Sequence, residues 1–146
     1  MNFVTIGDTL ATRFAAAAIT PPTSFSNVSL STCDLPAAMP NLPAVFVFLD
    51  AGDFRTGNGT RQGAHDWKVR FYYNVIGDLE RDLNALRQWA GVLVDQLKIS
   101  VQLGGIVSRC TLDSYEIGIL SYAGIQYSGI EMSVHVVTDE GWLAVA

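Results

Sequence analysis

The side chains that most often carry chemistry are sparse and scattered in this chain. The two histidines, His65 and His135, stand 70 positions apart, and neither has a companion Cys, Asp or Glu at a metal-ligand spacing. His65-Asp66 offers a base and a carboxylate to orient it. Neighbours along a strand point to opposite faces, however, so the pair has poor geometry for general-base work. Ser121 in LSYAG and Ser128 in YSGI lack the GxSxG elbow that exposes a nucleophile. Gly57-Asn58-Gly59-Thr60 and Leu103-Gly104-Gly105-Ile106 are the glycine-rich turns to consider for phosphate. Neither has a Walker lysine or a GxGxxG between strand and helix, so both read as flexible loop and turn. Cys33 and Cys110 form no CxxC and read as small buried residues in a reducing compartment rather than as a disulfide. The carboxylates form no obvious pair. The expectation is a protein that is not an enzyme, with no catalytic, cofactor-binding or metal residues and no cofactor.

Basic and aromatic residues do coincide, at Phe54, Arg55, Arg61, Trp67, Lys68, Arg70, Tyr72 and Tyr73. In a nucleic-acid binder such residues contact phosphates and stack on bases. The competing reading is an assembly surface whose arginines meet acidic groups on a neighbour. Net charge is −5 with a pI near 4.7, which argues against attraction to nucleic acid by the overall field. The balance is uneven: Arg55, Arg61, Lys68 and Arg70 face only Asp66 between positions 55 and 70, whereas from Thr111 onward every charge is acidic. Such a chain can attract copies of itself through opposite faces, or simply carry scattered solvated charges. Apolar residues make up 49% and charged residues only 16%, a low charge density that leaves apolar surface for another subunit to cover.

At 146 residues the chain fits a single domain, 1–146, large enough to bury a core without disulfide or metal. No run is long and apolar enough to span a membrane, and MNFVTIGDTLATRFAAAAIT is a poor signal peptide. Ile6, Leu10, Phe14 and Ala17 predict a helix over Thr5 to Ala18, ended by Pro21-Pro22. TSFSNVSLSTCD reads as a short edge strand or an extended arm, and the proline-rich LPAAMPNLP, from Leu35 to Pro43, as a rigid extended lead.

Two β-rich runs follow, AVFVFL (Ala44 to Leu49) and WKVRFYYNV (Trp67 to Val75), around a glycine-rich polar segment from Asp50 to Asp66. They predict a β-hairpin with an unusually long loop, the first strand covered on both faces and the second on one. Leu79, Leu83, Leu86, Ala90, Leu93 and Leu97 predict a second helix from Asp78 to about Lys98. Trp89 and Val92 lie off that stripe, which means either an intersubunit contact or a wider buried face. Ile106 to Leu112 and Ile117 to Tyr122 predict two short strands around an Asp113-Ser114 turn, and Ile125 to Thr138 a last alternating strand in which Gly129 marks a bulge or a close approach. Together these predict an α+β fold: a mainly antiparallel sheet of about four or five strands with two helices packed on one face and a long β-hairpin loop.

The order of these features resembles that of the tail terminator proteins of long-tailed bacteriophages, and more loosely of other small head-to-tail joining proteins. The residues that carry the resemblance are the helix before Pro21-Pro22, NLPAVFVF (Asn41 to Phe48), the polar loop before WKVRFYYNV, and Gly104-Gly105 leading to YAGIQYSGIEMSVHVV (Tyr122 to Val137). The resemblance implies a virion structural protein that assembles in the host cytoplasm as a homohexameric ring on the head-proximal end of the tail. There it stops polymerisation of the tail tube protein and presents a surface to the head-tail connector protein, with DNA only passing through and no membrane involved. Ring closure needs two different complementary faces. The candidates are an assembly loop and strand, Asp53, Phe54, Arg55, Arg61, Trp67, Lys68 and Arg70, and an acidic partner face, Glu116, Glu131, Asp139 and Glu140. The alternatives are a head-completion or connector-joining protein, or a small nucleic-acid- or ligand-binding α+β module.

Overall fold

The computed structural model describes residues 3–18, 27–57, 60–76, 79–98, 103 and 107–141. The first helix, α1 (Phe3–Ala15), buries Ile6, Leu10 and Phe14, and Ala17 follows them into the core, as the i, i+4, i+8, i+11 spacing predicts. It starts earlier and stops sooner than expected. The chain leaves the helix at Ala16 so that Ala18 can bridge Asn27; Pro21 and Pro22 lie outside the described residues. Strand β1 (Leu30–Thr32) is the short edge strand that the polar TSFSNVSLSTCD segment allowed, and it runs parallel to the start of β2 (Ala44–Gly57).

The remaining elements are β3 (Thr60–Val75), α2 (Leu79–Lys98), β4 (Arg109–Tyr122) and β5 (Ile125–Gly141). The five strands lie in the order β1-β2-β3-β5-β4, antiparallel except for the β1–β2 pair. Both helices pack on one face of this sheet, so the architecture is the expected α+β one. Phe71 and Trp89 meet there with ring centroids 4.8 Å apart. Trp89 is fully buried and Val92 packs against the same core, so α2 simply has a wider buried face than its leucines alone describe.

A smaller cluster, Ala44, Phe46, Tyr72 and Tyr127, occupies the opposite, outer face. Met39 and Leu42 of the proline-rich lead cover it, and the Tyr122 hydroxyl donates to the Pro36 carbonyl. The start of β2 is therefore covered on both faces, as its unbroken apolar run predicts. On β5, a Cβ at Gly129 would lie 2.3 Å from the Phe71 carbonyl oxygen, so this glycine marks a close backbone approach.

Two expectations change. The polar segment Asp50 to Asp66 is β-ladder over its described residues rather than loop: after a bulge between Leu49 and Ala51, pairing continues from Ala51↔Asp66 to Gly57↔Thr60, and β5 accompanies it to Gly141. The glycines that suggest a loop make room for a buried histidine. A Cβ at Gly52 would stand 2.3 Å from His65 Nδ1, and one at Gly63 would stand 2.5 Å from His65 Nε2. Only residues 58–59, which lie outside the described residues, separate the two strands in sequence. Likewise Asp113-Ser114 is not a turn but a bulge inside one continuous strand, β4, between Leu112 and Ser114.

Candidate functional site

Paired residues on adjacent strands share a face, so the register sorts the candidate residues without ambiguity. Trp67, expected on the assembly surface, is a core residue at 3% exposure, packed so closely under α1 that a Cβ at Gly7 would sit 3.2 Å from its ring. Phe54 is 47% exposed and meets the buried His65 ring edge-on at 5.1 Å. Asp53 is exposed on the outer face, paired with Ala64. Arg55 stands opposite Gln62, and Arg61 lies between Thr56 and Glu140 in the ladder.

Lys68, Arg70 and Glu131 lie on the outer face and satisfy one another. Arg70 Nε donates to Glu131 Oε2 at 2.7 Å; Lys68 Nζ lies 3.9 Å from Glu131 Oε1 and donates to Ser133 Oγ at 2.7 Å. The Arg70 guanidinium also covers the Phe48 ring at 5.2 Å. Burial pulls the Arg70 pKa down, but hydrogen bonds to Glu131 and Tyr72 outweigh it and the net shift is upward. Burial pushes the Tyr72 phenol up, with the Arg70 hydrogen bond opposing. Asp139 accepts from Ser108 Oγ at 2.6 Å and from Gln62 Nε2 at 3.3 Å. The basic hairpin and the acidic strand that the sequence separates are thus neighbours in one chain, and Glu131 offsets part of the charge of Lys68 and Arg70.

Glu116 is the exception. It stands directly opposite Glu131 across β4 and β5, a like-charge pairing that costs stability, and among the described residues no cation pairs with it. It lies on an exposed edge strand. The outer edge of β4 pairs with no strand among the described residues; on it Tyr115, 56% exposed, and Ile119, 51% exposed, stand among exposed Arg109, Asp113, Ser114, Glu116 and Ser121. Between it and α2 runs an open groove of about 450 Å³ lined by Arg87, Ala90, Gly91, Val94, Tyr115 and Ile117.

Sequence reasoning missed one further constellation. His65 and Asp66 do point to opposite faces, but Asp66 finds the other histidine: its Oδ1 lies 3.0 Å from His135 Nδ1, directly across β3 and β5. Asp113, on the β4 bulge, brings a carboxylate to the same place, and the three ligand atoms lie within 4.8 Å of one another. Asp66 and His135 border an open concavity of about 570 Å³ that Asp53, Gln62 and Arg109 also line. Among the described residues His135 has Asp66 as its sole hydrogen-bond partner. Only the register of β3, β4 and β5 could have found this cluster. No helix among the described residues is long and apolar enough to cross a membrane. No protein-family model matches this chain, and no curated protein matches it.

Proposed function

We propose that this chain is a structural subunit of a bacteriophage virion, a tail terminator that forms a ring at the head-proximal end of the tail tube. The ring stops tube polymerisation and presents the surface to which the head connector attaches. The observation that carries the reading is the β4 edge, fourteen residues long and unpaired among the described residues, with Tyr115 and Ile119 exposed along it and Tyr115 lining the α2 groove. A long unpaired edge strand is a template for another chain. The opposite edge of the sheet is the three-residue β1 beside Ala44, Val45 and Phe46 and, beyond it, the rest of β2, so the two edges differ in make-up. Unlike edges favour heterologous, ring-closing contacts over a two-fold dimer. The low charge content and the order of elements support the same reading. The engagement of Lys68 and Arg70 by Glu131 weakens the nucleic-acid alternative, because one of their two charges is offset within the chain.

The test is to mix purified protein with purified tail tubes and with filled heads, and to examine both by electron microscopy and native mass spectrometry. Rings capping tubes that then stop growing are the expected result. Binding to filled heads instead would move the protein to head completion, and binding to neither would remove the structural reading.

A further inference from the structure

We propose that Asp66, Asp113 and His135 form a binding site for one divalent transition-metal ion of the Zn²⁺ class on the outer face of the sheet. The three ligands come from three adjacent strands, β3, β4 and β5. Tetrahedral bonds of about 2.0–2.1 Å put neighbouring ligand atoms roughly 3.3 Å apart. The Asp66 Oδ1 to His135 Nδ1 separation, 3.0 Å, is close to that edge. Every ligand atom lies within 4.8 Å of the other two, so closing the site takes a shift of an exposed Asp113 side chain on its bulge. A bulge is the device by which a strand re-aims a side chain, and this one interrupts β4 opposite Val134 and Ser133, beside His135.

Ligand chemistry sets the ion class. An imidazole with two carboxylates suits Zn²⁺, Co²⁺, Ni²⁺ or Mn²⁺, whereas Mg²⁺ and Ca²⁺ select all-oxygen sites. Three protein ligands leave coordination positions open, and the adjoining concavity gives water or a small anion access to them, with Arg109 on its wall. The ion takes the place of the Asp66–His135 hydrogen bond. It ties β4 to β5 and β3 where the ladder between β4 and β5 is broken.

The full chain, freed of metal by chelation, is titrated calorimetrically with ZnCl₂ and, in parallel, with CoCl₂ while the visible spectrum is recorded. Saturable binding of one ion per chain is expected, with a cobalt d–d band and a thermal midpoint that rises with metal. Asp113→Asn, at an exposed bulge position where misfolding is not expected, weakens binding at least tenfold, the scale on which even indirect ligand partners act. Asp66→Asn and His135→Gln do the same, with circular dichroism verifying the fold. Cys33→Ser, which removes the half-buried thiol beside Asp8, leaves binding unchanged, and excess Mg²⁺ does not displace the ion. Absence of saturable binding at millimolar metal overturns the proposal. So does binding that survives Asp113→Asn and His135→Gln, that is lost in Cys33→Ser, or that equimolar Mg²⁺ displaces.

Discussion

His65 and His135 show how position rather than type decides what a side chain does. His65 is buried on the helix face between the rings of Phe3 and Phe54, while His135 is half-buried on the outer face beside Asp66. The two cysteines divide in the same way. The Cys33 thiol donates to Asp8 Oδ1 at 2.9 Å, and that bond, with burial and the nearby Asp8 and Asp34 charges, pushes it up to about 11. Thiolate is the reactive form, so at pH 8 about one thiol in a thousand is reactive. Asp8→Asn should raise the rate of Cys33 alkylation by iodoacetamide at pH 8 roughly tenfold, read by mass spectrometry of the labelled peptide. An unchanged rate would mean that access, not charge, limits this thiol.

Cys110 is shifted by burial alone, from 9.0 to about 11. A group whose folded-state pKa lies above its unfolded value stabilises fully below the unfolded value, and that contribution is lost as pH rises through the folded one. Stability should therefore be flat approaching pH 9 and fall between 9 and about 11, by on the order of 2 kcal/mol from this thiol. Tyr72 and Tyr73, both raised by burial, steepen the fall at higher pH. Urea midpoints across this range check it. Cys110→Ala lowers stability through the cavity it leaves but should flatten the decline, and an equally steep decline would refute the assignment.

At the scale of elements, the glycines of sheet and helix separate into two kinds. Gly129→Ala drives a Cβ to 2.3 Å from the Phe71 carbonyl oxygen, a backbone contact that cannot swing away. Gly91, inside α2, meets nothing within 4 Å. Gly129→Ala should cost more than about 2 kcal/mol, whereas Gly91→Ala should add about 0.5–1 kcal/mol, measured by urea unfolding. Glu116→Gln should likewise stabilise, by about 0.2–1 kcal/mol, since it relieves the like-charge pairing with Glu131. A loss of stability on that substitution would mean that Glu116 is held by groups outside the described residues. The helices and the alternating strands were legible because their burial periods are written in the apolar residues. The distal hairpin was not, because Gly52 and Gly63 read as loop when they are in fact space for His65, a long-range packing requirement. Asp113-Ser114 read as a turn for a similar reason, since a bulge and a turn use the same residues. Above all, the pairing of Lys68 and Arg70 with Glu131, and of Asp66 with His135, depends on strand register, which local patterns do not encode.

For the whole molecule, the question is whether the β4 edge is one of two unlike patches that close a ring. Tyr115 is exposed, so Tyr115→Glu should change subunit stability by no more than about 0.5 kcal/mol while placing a charge where a neighbour must dock. The second patch we propose is the distal hairpin, and Arg55→Glu with Arg61→Glu reverses the charge of its two arginines. In a heterologous ring each subunit uses one patch of each kind, so damage to either stops closure. A mixture of the two variants still contains one intact contact, between the good hairpin of the first and the good edge of the second. Native mass spectrometry should then find rings for the unaltered chain under capping conditions, monomers for each variant alone, and a heterodimer but no ring for the mixture. A two-fold interface behaves differently, because both copies present the same patch: one of the variants would remain fully dimeric, and mixing would create nothing new. That pattern would leave the edge strand as an ordinary dimer contact and take away the geometric basis for a ring.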